Sequence, residues 1–335
     1  MKKALITGVT GMVGSHMCDF LLKNTNWKIF GICRWRSNPD NVSHLIINKN
    51  KPKLDFLYAD LNDFSSIFKI LKDIKPDYIF HLAAQSFPKT SFDIPIDTLN
   101  TNIIGTANLL ESIKILGLKK TWIQVCSSSE VFGRVSKENL PINEECNFHP
   151  ASPYAISKIG TDLIGRFYSE AYNLRTITTR MFTHTGPRRG DVFAESSFAK
   201  QIAMIEVKNL KPLIKVGNLK SLRTYGDVRD AVRAYFMCLT VKPIKGEYYN
   251  IGGNHTCTVG DMLNELLSLS KLKKYKIQID KKRLRPIDAD LQVPDISKFS
   301  NHTKWKPRII FRQTMRDLLN YWRNKIKQKN FLSLR

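Results

Sequence analysis

The sequence predicts an α/β fold: a doubly wound parallel sheet followed by a smaller C-terminal substrate lobe. Three features predict it. Short apolar runs alternate with amphipathic stretches of helical period up to about residue 180, the pattern of strands joined by crossover helices. A glycine-rich turn separates the first apolar run from the first amphipathic one, where sheets of this kind bind a dinucleotide. Beyond that point the alternation gives way to loops rich in Gly, Pro and Arg. Residues 1–180 are therefore expected to form a dinucleotide-binding domain, with 218–252 returning to it, and 181–217 and 253–335 to form mainly the substrate lobe.

Residues 4–7 read as the first strand. Gly8, Gly11 and Gly14 follow in GxxGxxG spacing, ahead of a helix that runs through Leu21 and Leu22. Glycines at that turn let backbone N–H groups approach a pyrophosphate at the helix N-terminus, so Gly8, Gly11, Met12, Val13 and Gly14 are candidate cofactor contacts. The second strand, residues 28–33, ends where the cofactor ribose would lie. An acidic residue there suits the ribose hydroxyls of NAD; this chain has Arg34 and Arg36, which suit the 2′-phosphate of NADP. Residues 56–61 read as the third strand, bringing Asp60 and Leu61 to the adenine, and 64–74 as a helix. The fourth strand, 77–81, runs into Leu82, Ala83, Ala84, Gln85 and Ser86, where small side chains leave room for the cofactor. His81 reads as a packed, structural histidine. A helix over 102–116 places Ile104, Ala107, Leu110 and Ile113 on one face and stops at Gly117.

The fifth strand, 121–126, delivers Ser127, Ser128, Ser129 and Glu130 to the carboxyl edge of the sheet, where doubly wound folds bind ligands. After a loop rich in Pro and Glu comes Pro153-Tyr154-Ala155-Ile156-Ser157-Lys158. With Ser152 as cap and Pro153 at the first helical position, Tyr154 and Lys158 share one helix face. An ammonium beside a phenol favours the phenolate and makes Tyr154 a candidate base. Moving a Tyr from about 10 to near 7 takes roughly 4 kcal/mol of differential stabilisation, so a second positive charge, that of a nicotinamide ring, is expected to help. The sixth strand is 175–180, followed by a loop over 181–190 that is too rich in Gly, Pro and Arg to be core. Helices are expected at 198–207, 227–241, 259–269 and after Gln313, strands at 214–217 and before Gly252, and a basic loop at 283–288.

The chain is strongly basic, with 53 Lys and Arg against 29 Asp and Glu, yet Lys, Asn and Ile are abundant throughout, so the excess reads as compositional. The densest basic cluster, after Arg308, lies on the closing helix without an aromatic-basic RNA signature, and a polyanionic small molecule suffices as its partner. No nucleic acid and no membrane is expected as a partner, since no run of about 18 apolar residues is present. Thr7 and Gly8 interrupt the apolar run after Met1-Lys2-Lys3, unlike a signal peptide. Cysteines at 18, 33, 126, 146, 238 and 257 form no CxxC pair or metal-ligand spacing, which predicts reduced thiols, no metal and a cytoplasmic location. A chain of 335 residues can bury a full core and is no peptide-like module.

Over nearly its whole length the sequence resembles the extended short-chain dehydrogenases/reductases that act on nucleotide sugars, and within them most of all the GDP-mannose 4,6-dehydratases. The residues carrying this are Thr7 and Gly8 through Gly14, Ala83-Ala84-Gln85-Ser86, Ser128-Ser129-Glu130, Tyr154 with Lys158, residues 170–174, Pro187-Arg188-Arg189-Gly190, Gly217-Asn218-Leu219, Arg223 and Arg285-Pro286. The resemblance implies a Rossmann domain, NADP as cofactor, a GDP-hexose as substrate, and a homodimer or homotetramer to whose contacts the polar loop 37–53 contributes. It implies that Tyr154 and Lys158 start oxidation at the sugar 4-hydroxyl with help from Ser128, and that Glu130 takes the C5 proton so that the 6-hydroxyl leaves as water. It adds His184 and Arg189 to the cofactor contacts. For the substrate it implies Ser86, Ser129, Thr183, Arg223 and Arg285, the two arginines on the pyrophosphate, and Asp288 near the nucleotide. The chain departs from the family at Thr183, where Asn is usual, and near Ser196-Ser197, where a basic pair is usual. Ser129 stands where dTDP-glucose relatives carry a proton-donating Asp, which leaves Glu130 to act as both base and acid. A 4-reductase or epimerase of the same fold would use Ser128, Tyr154 and Lys158 without needing Glu130.

Overall fold

A computed structural model describes residues 1–46, 53–208 and 210–329. Its elements are β1 (Lys3–Thr7), α1 (Met12–Asn24), β2 (Lys28–Cys33), α2 (Ser43–Ile46), β3 (Leu54–Tyr58), α3 (Phe64–Ile74), β4 (Tyr78–His81), α4 (Thr90–Asp93), α5 (Pro95–Leu99), α6 (Gly105–Ile115), β5 (Trp122–Cys126), α7 (Pro153–Tyr172) and β6 (Arg175–Met181). They continue as β7 (His184–Thr185), α8 (Ala194–Glu206), β8 (Leu213–Val216), β9 (Leu222–Asp227), α9 (Val228–Thr240), β10 (Tyr248–Ile251), β11 (His255–Thr258), α10 (Val259–Ser268), β12 (Lys276–Ile279), β13 (Leu291–Gln292), α11 (Ser297–Thr303) and α12 (Phe311–Lys329).

Seven parallel strands form the main sheet in the order β10-β6-β5-β4-β1-β2-β3. The order reverses at β1, where chain direction leads one way to β2 and β3 and the other way to β4, β5 and β6. Helices leaving β1 and β4 diverge there and open a crevice at the carboxyl ends of the strands. Each face is covered. Ile6, Ile29 and Phe80 pack with Met17, Leu21 and Tyr235 on one side, and Leu5, Ile79 and Ile123 with Ile67, Leu71, Leu109 and Ile113 on the other.

The rest of the chain divides. Strand β9 lies in a small sheet with β11 and β13, and β7 pairs with its far end. Helices α8, α10 and α12 pack Phe198, Ile202, Leu263, Leu266, Leu318 and Trp322 into a separate core. Segments 228–251 and 297–305 return to the main sheet: β10 pairs with β6, and Phe299 and Trp305 join its core. The basic side of α12 is matched by acids of the same chain, with Arg312 on Glu265 at 2.7 Å, Arg323 on Glu206 at 2.7 Å and Lys325 on Asp40 at 3.2 Å. Among the described residues no helix is long and apolar enough to cross a membrane. Arg335, in the basic tail, lies outside the described residues.

Several boundaries differ from those expected. The third strand starts at Leu54 and stops at Tyr58, because Asp60 folds into a turn by accepting a hydrogen bond from the Asn62 amide at 3.0 Å. The helix expected from residue 102 is preceded by α4 and α5, and a wide π-helical turn over Asn100–Ile104 joins them to α6. Strands β9, β11 and β12 are new: LRTYGD and HTCT show no alternating apolar face, and KIQI alternates over only four residues, all of them exposed. Of the polar loop 37–53, residues 47–52 lie outside the described part. The earlier section tucks Val42 and Leu45 into the main core, and Asn41 donates to the carbonyl of Thr10 at 3.0 Å.

Candidate active site

The first two strands of the sheet build the cradle. Gly8 has φ +70°, and a Cβ on it would sit 2.8 Å from the Ala83 Cα; a Cβ on Gly14 would sit 2.3 Å from the Gly8 carbonyl oxygen. Only glycine permits that turn to close against the end of β4. The Thr7 hydroxyl locks the same junction, accepting from the amides of Leu82 and Ala83 at 3.0 Å each and donating to His81 Nδ1 at 3.0 Å. His81 donates its one N–H, on Nε2, to Thr106 at 3.0 Å, and Thr106 donates to the Asn102 carbonyl at 2.6 Å, which fixes the neutral tautomer. His81 is thus a buried structural residue, its pKa held down to about 3 chiefly by burial.

Met12, Val13 and the backbone of α1 follow Gly11, which stands at the N-cap of α1 without a capping side chain. Helix amides that no side chain caps are suited to an anion. Arg34 and Arg36 are exposed just past β2, beside Trp35, which packs edge-on against Tyr58 at 5.8 Å. No acidic group pairs with either arginine among the described residues, so the donor set fits a 2′-phosphate. The Leu61 carbonyl, just past the end of β3, accepts from Asn108 at 2.8 Å. Gln85 turns its amide inward, to Phe87 and Thr98 at 2.6 to 3.2 Å, and shapes the loop by its own hydrogen bonds. Ala84 and Ser86 flank it, Ser86 exposed.

The catalytic edge is assembled from the ends of β5 and α7. Ser152 caps α7, accepting from the Ala155 amide at 3.0 Å, and Pro153 is its first residue. Tyr154 and Lys158 lie on one face and are almost wholly buried. Ser128 starts the short turn Ser129–Val131, its hydroxyl accepting from the Glu130 amide at 3.2 Å. One expectation is corrected here. Lys158 donates to the carbonyl of Cys126 at 2.7 Å, and burial raises the Tyr154 phenol well above its ordinary range, with Glu130 and Cys126 pushing the same way. Ser128 and the charge of Arg189 oppose the rise without reversing it. The chain's own charges therefore do not favour the phenolate, and the second positive charge expected from the sequence is still needed.

Opposite the phenol, Glu130 meets two guanidinium groups: Arg223 of β9 at 3.7 Å and Arg285 at 3.7 Å. The same arginines reach Asp288 at 3.4 and 3.5 Å, and Asp288 also accepts from Asn218 at 3.3 Å and Ser221 at 3.2 Å. The four charges form a ring in which the candidate base is held by the two candidate diphosphate ligands. Thr183 connects β6 to β7, its carbonyl accepting from the Gly226 amide at 2.9 Å. His184 donates through Nδ1 to the Phe182 carbonyl at 3.0 Å and is held neutral, burial bringing its pKa to about 4. Arg189 lays its guanidinium over the Phe193 ring at 3.5 Å.

The serines at the departure from the family pattern have defined roles. Ser196 donates to the Arg189 carbonyl at 2.7 Å and accepts from the Trp322 indole at 2.8 Å, so it is structural. Ser197 accepts from Arg283 at 3.0 Å, so a cation from the loop 281–288 stands over this part of α8. Arg283, Asn102 and Glu195 escape a reading of the sequence: each is one polar residue among many, and only packing singles it out.

Three buried histidines predict an acid limit. His16 and His184 are depressed to about 4 and His81 to about 3, each mainly by burial. A depressed histidine binds its proton more readily unfolded, so stability falls as pH drops from about 6.5 towards 4, by about 1.4 kcal/mol per unit for each group. Thermal melts at pH 7 and pH 5 are expected to show a clear loss at pH 5; equal melting temperatures would contradict it.

A glycine cradle at the switch point of a parallel sheet, with Ser128, Tyr154 and Lys158 on its carboxyl edge, defines an extended short-chain dehydrogenase/reductase. The family model described as GDP-mannose 4,6 dehydratase matches residues 5–318. GDP-mannose 4,6-dehydratase of Yersinia enterocolitica is 32% identical over 92% of this chain and 90% of its own. GDP-mannose 4,6 dehydratase of Homo sapiens is 30% identical over 95% of this chain and 90% of its own. RMD from Pseudomonas aeruginosa, solved with NADPH, superposes with a TM-score of 0.81 at 26% identity, covering 97% of this chain and all of that one. The chain belongs to the GDP-mannose 4,6-dehydratase family and is a nucleotide-sugar 4,6-dehydratase.

Proposed function

We propose that the protein dehydrates a GDP-hexose, GDP-mannose or a related GDP-sugar, to the GDP-4-keto-6-deoxy sugar, using NADP that is regenerated in every turnover. The observation that carries this reading is Glu130: a carboxylate whose charge acts on the Tyr154 phenol and which two arginines hold at 3.7 Å. A 4-reductase or epimerase has no need of it.

The cofactor is held by Gly8, Gly11, Met12, Val13 and Gly14 at the pyrophosphate, Arg34 and Arg36 at the 2′-phosphate, Asp60 and Leu61 at the adenine, and Leu82 to Gln85, His184 and Arg189 towards the nicotinamide. When bound, NADP would supply a hydride acceptor for C4 that can serve again as donor to C6, and a positive charge near the phenol. Tyr154 removes the proton of the 4-hydroxyl, and Ser128 hydrogen-bonds the same oxygen. Lys158 keeps the helix end against Cys126 and adds its charge below the site. The 4-ketone acidifies C5, and Glu130 takes the C5 proton. That proton then leaves with the 6-hydroxyl as water, Glu130 serving as acid after base because Ser129 offers no carboxyl group; as C6 regains the hydride, C5 takes a proton from solvent, and Tyr154 gives up the 4-hydroxyl proton to solvent. Arg223 and Arg285 take the diphosphate as multidentate donors, with Asp288 beside the nucleotide and Ser86, Ser129 and Thr183 along the sugar. Moving those arginines onto phosphate releases Glu130 from its two 3.7 Å contacts and leaves the carboxylate free to face C5.

No disulfide joins the six cysteines, all of them among the described residues, which supports a reducing, cytoplasmic setting. We place the protein as a homodimer or homotetramer, testable by its size in solution. GDP-, dTDP-, UDP- and CDP-hexoses supplied separately and followed by mass spectrometry test the reaction: a GDP-hexose should lose one water without oxidation of added NADPH. Stoichiometric NADPH oxidation with no water lost would assign the 4-reductase instead.

A further inference from the structure

Glu195 is 5% exposed in the first turn of α8, and its carboxylate makes no hydrogen bond or ion pair among the described residues. Its neighbour Ser196 ties α8 to Arg189 at 2.7 Å, and the Arg189 Nε–H is enclosed without a hydrogen-bond partner. Arg189 acts on Tyr154, and Glu195 acts on Arg189, Arg223 and Tyr225. The residue after Ser196, Ser197, accepts from Arg283 at 3.0 Å, so the first turn of α8 is tied to Arg189 on one side and to the loop of Arg283 and Arg285 on the other.

A carboxylate that no donor of its own chain reaches offers only acceptor oxygens to whatever enters the site. A phosphate would be repelled and an apolar group would leave it unsatisfied. Hydroxyl groups satisfy it. On a hexose whose anomeric C1 carries the diphosphate at Arg223 and whose C4 lies at Tyr154, two edges join those points. The C5 edge faces Glu130; the other carries the hydroxyls of C2 and C3.

We infer that Glu195 is the sugar-recognition residue of this site, its carboxylate accepting the hydroxyls on C2 and C3 of the hexose and turning C5 towards Glu130. This rests on the GDP-hexose reading above. It makes Glu195 a specificity determinant for the sugar and not for the nucleotide.

The test compares wild type, Glu195→Gln and Glu195→Ala on the GDP-hexose that wild type dehydrates and on its 2-deoxy and 3-deoxy analogues, with GDP as competitive inhibitor. Wild type is expected to lose about 10²-fold or more in kcat/KM when one of the two hydroxyls is removed, because the carboxylate is then left unpaired. The variants should lose a similar factor on the full substrate and distinguish little between it and the analogue, while the GDP inhibition constant stays within about twofold. Equal turnover of substrate and both analogues by wild type would overturn the inference alone. So would variants that discriminate against the analogues as strongly as wild type, or that lose GDP and sugar affinity together. A wild type that dehydrates no GDP-hexose would overturn the functional reading, and this inference with it.

Discussion

Glu130→Gln is expected to reduce its bound NADP when substrate is added and then to stall before water is lost. The amide keeps the shape of the side chain, and the turn that carries it is set by the backbone contact from the Glu130 amide to Ser128 at 3.2 Å. It cannot take a proton from C5, and since Ser129 supplies no substitute, no second group rescues the step. Loss of a positioned acid-base group costs about 10²- to 10⁴-fold, and here one residue serves both directions, which puts kcat at the lower end. Removing the carboxylate also frees Arg223 and Arg285 from their 3.7 Å contacts, so nucleotide binding should hold or tighten while kcat falls. Absorbance of the reduced nicotinamide in a single turnover, read beside mass spectrometry of the sugar, checks both halves. Normal dehydration by the variant would show that the base is another group.

Tyr154→Phe is expected to fail one step earlier. Without the phenol, no proton leaves the 4-hydroxyl, no hydride moves, and the cofactor remains oxidised on mixing with substrate; kcat should fall by about 10²- to 10⁴-fold. The fold should survive, because the ring stays buried and Ser91 holds the residue through its backbone amide at 3.0 Å. The two variants are thus separable by the redox state in which the cofactor rests. A Phe variant that reduces its cofactor at the wild-type rate would take Tyr154 out of the reaction.

Much of the cofactor half was legible in the sequence because its causes are local. The glycine spacing, the apolar runs of the parallel strands and the Ser152-Pro153 helix start are short-range signals that the chain cannot easily use otherwise. The protonation state of the phenol was not legible: the Tyr-Lys spacing is visible, but the Cys126 carbonyl that occupies Lys158 belongs to a strand more than thirty residues away, and burial outweighs the nearby charges. The small lobe was the least readable part. Its strand β9 is polar in part because it carries Arg223 to Glu130 and Asp288, β11 is half exposed, and a half-polar strand four to six residues long carries no periodicity. Arg223 could be singled out by resemblance, whereas its pairing with Glu130 required the turn after β5 and the loop of Arg285 to meet in space. Glu195 and Arg283 illustrate the same point, since a buried carboxylate or a loop arginine acquires meaning only from what surrounds it.

The central claim is that one active site oxidises C4, eliminates across C5 and C6, and restores its own cofactor. It is tested most directly by turning over a GDP-hexose in D₂O without added NADPH and locating deuterium in the product. The mechanism predicts loss of one water, solvent deuterium at C5, and protium at C6 delivered from C4 of the same sugar. A product that has lost no water, or one that forms only as added NADPH is consumed, would contradict it.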